Sequence, residues 1–252
     1  MEITEVAILT SVALASSALS AVVGMAGGIV LLSVMLLFLE PLVAIPLHAV
    51  VQLVSNGSRS FIQRRHVDWS LVGPYALPLL PMGFVGLWIL ESLSGSVTRS
   101  LIGAFVLVAT WAPGWLLLGA RPEHLERRRR FLALGTVAGA INVTVGATGP
   151  LIAPFFLRLD LSRQALVGTK AACQALGHLA KIAVFGLVGF AFRDYALPLS
   201  LLCLAVICGT WLGSQLLEKV SERRFVQVYK TLLTVIALRL LLWEGLPNLN
   251  FF

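Results

Sequence analysis

The sequence predicts an all-α polytopic membrane protein with two inverted repeats of about five helical segments each. Of its 252 residues, 58% are hydrophobic and only 12% are charged, whereas soluble domains usually carry about 25% charged residues. The charges fall in short clusters between long apolar stretches, which is how loops and membrane spans alternate. The two halves of the chain also align with each other.

Seven apolar stretches are long enough to cross a bilayer, since a spanning helix needs roughly 17–25 residues. They are residues 5–23, 43–61, 69–90, 97–118, 165–188, 195–217 and 225–243. Three further apolar pieces, residues 28–39, 131–145 and 150–157, are shorter. Glycine clusters at 24–28 and 146–149 break the helical pattern just before the first and the last of these pieces.

A constant shift of 122 positions aligns residues 18–60 with the second half of the chain without a gap. Its identical pairs include Gly24 with Gly146, Gly27 with Gly149, Ala49 with Ala171 and Gln52 with Gln174. Each half then contains five segments, and an odd number per repeat inverts the second half. The predicted division is an N-terminal transmembrane repeat (1–120), a basic cytoplasmic linker (121–130) and a C-terminal transmembrane repeat (131–252).

The basic loops give this arrangement an orientation, because Lys and Arg collect on the cytoplasmic side of membrane proteins. Four clusters fall on that side: Arg64-Arg65, Arg121–Arg130, Arg158–Arg163 and Lys219–Arg224. Only Arg193 falls on the opposite side. Both termini are therefore predicted to be non-cytoplasmic.

The glycine breaks predict a binding site near the middle of the membrane. Helices over 28–39 and 150–157 would be about 18 and 12 Å long, whereas a crossing needs about 30 Å. We expect each break to be the tip of a hairpin, with the two hairpins entering from opposite sides. Helix N-termini at these tips favour an anion, which makes Gly27, Gly28, Thr148 and Gly149 candidate binding residues. The alternative interpretation is that the glycines only permit close helix packing.

Two stripes of polar residues follow the breaks. With about 100° per helical residue, His48, Gln52, Asn56 and Arg59 lie within about 80° of one another on one helix. The shift of 122 places Lys170, Gln174, His178 and Lys181 at the same angles on the equivalent helix. Ionisable groups inside a membrane usually mark a pathway, although the long side chains at 59 and 181 are also able to extend to the headgroups.

The chemistry of the stripes suits an oxyanion, because Lys and Arg supply positive charge and the amides supply directed hydrogen bonds. Neither stripe contains an acidic residue that would favour a cation. His48 and His178 change charge between pH 5 and 8 in ordinary surroundings, so they offer a link to protons.

Other functions lack their sequence signals. The basic clusters lack the interleaved aromatic residues that suit nucleic acid. We find no phosphate-binding loop, no His-Glu-x-x-His and no Cys-x-x-Cys, so no cofactor, metal site or enzyme activity is predicted.

The glycine breaks, at 23–30 and 145–152, resemble those of the TauE/SafE family of sulfite and organosulfonate exporters. Pro154 follows the second break as in the family, although Thr148 stands where glycine is more usual. The element over residues 64–69, basic and then Val-Asp, also resembles the family's. This resemblance implies a multi-pass permease of a bacterial-type plasma (inner) membrane that exports small sulfur-containing anions.

Three interpretations stay open at this point. The first is a secondary transporter that works by alternating access about the midplane, for sulfite, organosulfonates or another small anion. The second is an anion channel of the same architecture, and the third is a membrane-embedded enzyme or assembly factor. The sequence leaves open whether the protein forms a homo-oligomer.

Overall fold

The computed structural model describes residues 1–23, 27–156, 159–216 and 222–245, and these residues form helices and connecting turns without a strand. The all-α prediction is therefore confirmed for the described part of the chain. The α-helices are α1 Ile3–Val23, α2 Gly27–Met35, α3 Pro41–Ile62, α4 Trp69–Ala76, α5 Leu79–Ser92, α6 Gly95–Trp111, α7 Arg127–Thr144, α8 Gly149–Ile152, α9 Arg163–Leu187, α10 Ala196–Leu216 and α11 Glu222–Arg239.

Some predicted features lie outside the described residues. They are residues 24–26 of the first glycine break, the last residue of the piece 150–157, Arg158, residues 217–221 and residues 246–252. The two short segments that follow the breaks are described. The first is α2, with 9 residues, and the second is α8 with the 3-10 turn Ala153–Phe156.

By length and apolarity, one helical stretch among the described residues, Phe192–Gly213, is able to cross a membrane by itself. The pair α4 and α5 becomes a second such span if its two parts, bent by 43°, are counted together. Helices α3 and α9 have 22 and 25 residues, so they are long enough, but they carry the polar stripes. The seven predicted spans stay a prediction.

Prolines divide two of the stretches that we expected to be continuous. The stretch 69–90 ends its first helix at Ala76 and begins the next at Leu79, because Pro78 has no N–H to continue the ladder. The stretch 97–118 ends as an α-helix at Trp111, and the 3-10 turn Pro113–Leu117 follows.

The predicted basic linker is partly helical. Helix α7 begins at Arg127, so the last four arginines belong to its first turn. Arg130 is only 2% exposed, and its Nη2 donates to the Pro154 carbonyl at 3.4 Å. This residue therefore ties α7 to the second short segment.

Glycines bring the helices into close pairs. A side chain at Gly213 of α10 would lie 2.3 Å from the Ala18 carbonyl of α1, and one at Gly86 of α5 would lie 2.3 Å from the Ala140 carbonyl of α7. Only a residue without Cβ permits these backbones to approach so closely. The described helices therefore pack mainly as α1 with α10, α5 with α7, and α3 with α9.

Helix α2 lies in the centre of the larger hydrophobic cluster. All its residues except Gly28 are buried, which is what a helix apolar on every side requires. Large apolar side chains such as Trp88, Leu197 and Trp211 are 63 to 72% exposed on the outside. An apolar exterior of this kind suits contact with lipid.

Candidate anion-binding site

The site lies where α3 and α9 cross in opposite directions. The His48 and His178 rings meet edge to face, with their centroids 5.8 Å apart. Farther along, the end of α3 at Gln63 packs on Gly168 near the start of α9. The two predicted stripes are therefore brought together, one from each half of the chain.

A small cavity of about 20 Å³ lies between these helices and the two glycine breaks. This volume is somewhat above the minimum that one buried water molecule needs. Its lining residues are Ser20, Gly28, Ile29, His48, Gln52, Asn56, Arg59, Ala147, Thr148, Gly149, Gln174 and His178. Nine of the twelve predicted site residues belong to this lining, whereas Gly27, Lys170 and Lys181 do not.

The first wall of the cavity is formed by the start of α2 against α3. The His48 ring donates from Nε2 to the Gly28 carbonyl at 2.8 Å. Gln52 packs so closely on Gly28 that a Cβ there would lie 2.9 Å from its Oε1. The Asn56 amide donates to the Gln52 backbone carbonyl at 3.1 Å and lies 3.5 Å from Gln52 Oε1. The Gln52 NH2 group makes no bond within the described residues.

Arg59 supplies the positive charge that borders the cavity. Its Nη2 donates to the hydroxyls of Ser20 at 3.0 Å and Ser55 at 2.9 Å, and both acceptors are neutral. Its buried Nε has no hydrogen-bond partner among the residues that the structure describes. The contact with α1 holds the guanidinium at the cavity.

The second wall comes from the second break and α9. Ala147, Thr148 and Gly149 line the cavity directly after Gly146, whose φ of +84° is one that glycine adopts at little cost. Gln174 and His178 face them from α9. Neither of these two side chains makes a hydrogen bond within the described residues, and His178 is only 5% exposed.

Lys181 lies behind this wall and does not border the cavity. Its side chain is fully buried, and its Nζ donates to the Gly146 carbonyl at 2.8 Å and to Asn142 Oδ1 at 3.3 Å. In this conformation the lysine therefore holds the second break in place.

The other two predicted residues outside the lining have different surroundings. Lys170 is partly buried on α9. Gly27 faces α1, where a Cβ would lie 2.0 Å from the Ser16 carbonyl. For Gly27 the close-packing interpretation therefore fits the contacts, whereas Gly28 faces the cavity.

The sequence interpretation missed Ser20, Ile29 and Ala147 in the lining. The sequence repeat could have indicated Ser20, because the shift of 122 pairs it with Asn142 near the second break. No carboxylate belongs to the part of the lining that the structure describes. Within the described residues no group of His, Cys, Asp or Glu is placed to hold a metal ion.

A helical chain with an apolar exterior and a small cationic cavity between its helices is of the integral membrane class. The chain belongs to the sulfite exporter TauE/SafE family, whose model matches residues 9–240. The resemblance seen in the glycine breaks is thereby confirmed. The family is one of membrane transport proteins rather than of enzymes.

A curated relative supports the same family. It is a probable sulfite/organosulfonate exporter TauE of Cupriavidus necator, 31% identical over 118 residues. The matched region covers 43% of this chain and 44% of that protein. No solved structure matches the chain.

Proposed function

We propose that this protein is a secondary transporter that exports small sulfur-containing oxyanions, such as sulfite or organosulfonates, across a bacterial-type inner membrane. The cavity between α3 and α9 carries the proposal. It combines the Arg59 guanidinium with amide, hydroxyl and imidazole groups, and its described lining residues include no carboxylate. Such a set of groups favours an anion with several oxygen acceptors.

The equivalent contacts of the two halves support an inverted repeat around this cavity. Arg59 donates to Ser20 in the first half and Lys181 donates to Asn142 in the second. The shift of 122 relates both donors and both acceptors. The two halves thus repeat a contact between distant segments, which chance sequence similarity alone does not explain.

The packing of the helices supports the same symmetry. Gly213 approaches the carbonyl of Ala18 and Gly86 approaches that of Ala140; the shift of 122 relates the two alanines, whereas it pairs Gly86 with Cys208. Helices α3 and α9, which are equivalent, run antiparallel across the centre. Two repeats of opposite orientation would produce such a crossing.

Alternating access is the mechanism that we propose for this arrangement. The cavity has a volume of only about 20 Å³ and is lined by residues of both halves, so a substrate larger than a water molecule requires the surrounding helices to move. We propose that residues 1–120 and 131–252 form the two repeats and that movement of one against the other opens the site to each face in turn. Both termini lie on the non-cytoplasmic face in this proposal.

Counterflow in proteoliposomes tests the function. Vesicles loaded with unlabelled sulfite should accumulate labelled sulfite transiently, because a carrier exchanges one for the other at a saturable site. The double variant Gln52→Ala, Gln174→Ala should lose this exchange. The matched control is Gln164→Ala, which is exposed on the same helix as Gln174. A conductance that does not saturate with sulfite concentration, together with an absence of counterflow, would instead identify a channel.

Proton coupling is a further part of the proposal. His48 and His178 contact each other at the cavity, where a change of charge on either ring would alter the attraction for an anion. Sulfite flux in the variants His48→Gln and His178→Gln should lose part of its dependence on pH. An unchanged pH profile in both variants would remove the histidines from any coupling.

A further inference from the structure

A groove of about 580 Å³ lies on the outside of the protein, between the first turns of α4 and α7. The two helices run in the same direction, because a Cβ at Gly135 would meet the Tyr75 carbonyl and one at Gly139 would meet that of Leu79 in α5. The groove shares no lining residue with the cavity between α3 and α9. It is therefore a separate feature of the surface.

The groove changes from charged to apolar along these helices. Ser70, Arg127 and Arg128 line one end, in the first turns of α4 and α7. The exposed side chains of Leu77 and Leu132 line the other end. At about 1.5 Å per residue, the apolar end lies roughly 8–10 Å farther along the helices. A phospholipid presents its groups in the same order, a charged phosphate followed by glycerol and hydrocarbon.

The charged end of the groove is suited to an anion. Arg127 and Arg128 are exposed there, and the carboxylate of the neighbouring Glu126 lies 3.8 Å from Arg129 Nε. Three arginines against one glutamate leave two positive charges at this end. Guanidinium groups bind phosphate oxygens in pairs, and basic clusters beside membrane helices attract anionic headgroups.

The position of the groove on the protein also suits a lipid. Trp69, the residue before Ser70, is 61% exposed, and tryptophan is enriched at the boundary between membrane and water. The floor of the groove is open at Gly73, where an added Cβ would have no atom of the described residues within 4 Å. The groove therefore leaves room for a ligand at the level of the headgroups.

We infer that this groove binds an anionic phospholipid, with the headgroup phosphate on Arg127 and Arg128 and the acyl chains along Leu77 and Leu132. A free phosphate ion would contact the arginines and leave both leucines exposed, whereas a lipid covers apolar surface as well. Phosphatidylglycerol is a suitable probe. The inference does not depend on which substrate the protein transports.

The test compares phosphatidylglycerol with phosphatidylcholine as ligands of the purified protein in a neutral detergent. Native mass spectrometry of the species with one bound lipid measures both dissociation constants. Phosphatidylglycerol should bind at least fivefold more tightly, and the double variant Arg127→Gln, Arg128→Gln should lose this preference. The matched control Arg64→Gln, Arg65→Gln, which removes the same charge from another exposed cluster, should keep it. Equal binding of the two lipids by the parent, or equal losses in the two double variants, would overturn the inference.

A further variant separates the groove from the charge of its arginines. Gly73→Leu fills the open floor and keeps every charge, so phosphatidylglycerol should bind at least threefold more weakly. Gly57→Leu on α3, where a Cβ also has no atom within 4 Å, should bind the lipid as the parent does. Unchanged binding by Gly73→Leu would show that exposed charge attracts the lipid without the groove, which contradicts the inference. Displacement of the bound lipid by millimolar inorganic phosphate would contradict it too, because a soluble anion would then be the ligand.

Discussion

Substitution of Gly28 by alanine should impair transport without unfolding the protein. A Cβ at this position would lie 2.9 Å from Gln52 Oε1 and 3.0 Å from its Cδ, so the amide must move away from α2. The end of a glutamine side chain moves easily. Gly28 is the second residue of α2, where alanine also favours the helix.

The expected change in the free energy of unfolding is smaller than the expected loss of binding free energy for sulfite, so the two effects can be measured separately. Alanine in place of a helical glycine gains at most about 0.5–1 kcal/mol. The displaced amide loses only the 3.5 Å contact with Asn56, so the free energy of unfolding should change by less than about 1 kcal/mol. A lost hydrogen bond to a charged ligand costs about 1.5–3 kcal/mol, which raises the half-saturation concentration for sulfite roughly 10- to 100-fold.

The assay compares thermal unfolding with counterflow for three variants. Gly27→Ala should be the unstable one, because its Cβ would lie 2.0 Å from the Ser16 backbone carbonyl and overpacking costs about 1–3 kcal/mol. Gly57→Ala on α3 has no atom within 4 Å of its Cβ and should behave as the parent does. If folded Gly28→Ala protein has the same half-saturation concentration for sulfite as the parent, the placement of Gln52 at the substrate is refuted.

Three further substitutions test the site and the repeat. Lys181→Met should lower the free energy of unfolding by only about 1 kcal/mol, since hydrogen bonds inside membranes average about 0.6 kcal/mol each. The same variant should lose most of its sulfite flux. Recovery of flux in Lys181→Gln would show that transport requires the hydrogen bonds of this side chain and not its charge. Arg59→Gln should raise the half-saturation concentration for sulfite at least tenfold, whereas substitution of the exposed Arg65 by Gln should leave it unchanged. Equal effects of the two substitutions would contradict the assignment of Arg59 to the site. Gly86→Ala and Gly213→Ala should each lower the melting temperature, because both side chains would meet a backbone carbonyl at 2.3 Å; an effect at one position alone would argue against equivalent packing in the two halves.

Much of the candidate site followed from the sequence because periodicity fixes which side chains share a helix face. His48, Gln52, Asn56 and Arg59 were expected on one face of α3, and all four line the cavity. The glycine breaks likewise indicated where helices stop. The sequence predicted the continuity of the helices less well, because the bend between α4 and α5 depends on how Pro78 packs as well as on its missing N–H.

The sequence by itself determined the helical class, the family, the polar stripes and the position of the breaks, because composition and spacing are local properties of a chain. Only the tertiary structure separated Arg59 from Lys181, two residues that the repeat makes equivalent. Arg59 borders the cavity, whereas Lys181 is fully buried and bonded to the Gly146 carbonyl. The difference arises from the neighbouring helices, whose close packing leaves space beside one cation and none beside the other.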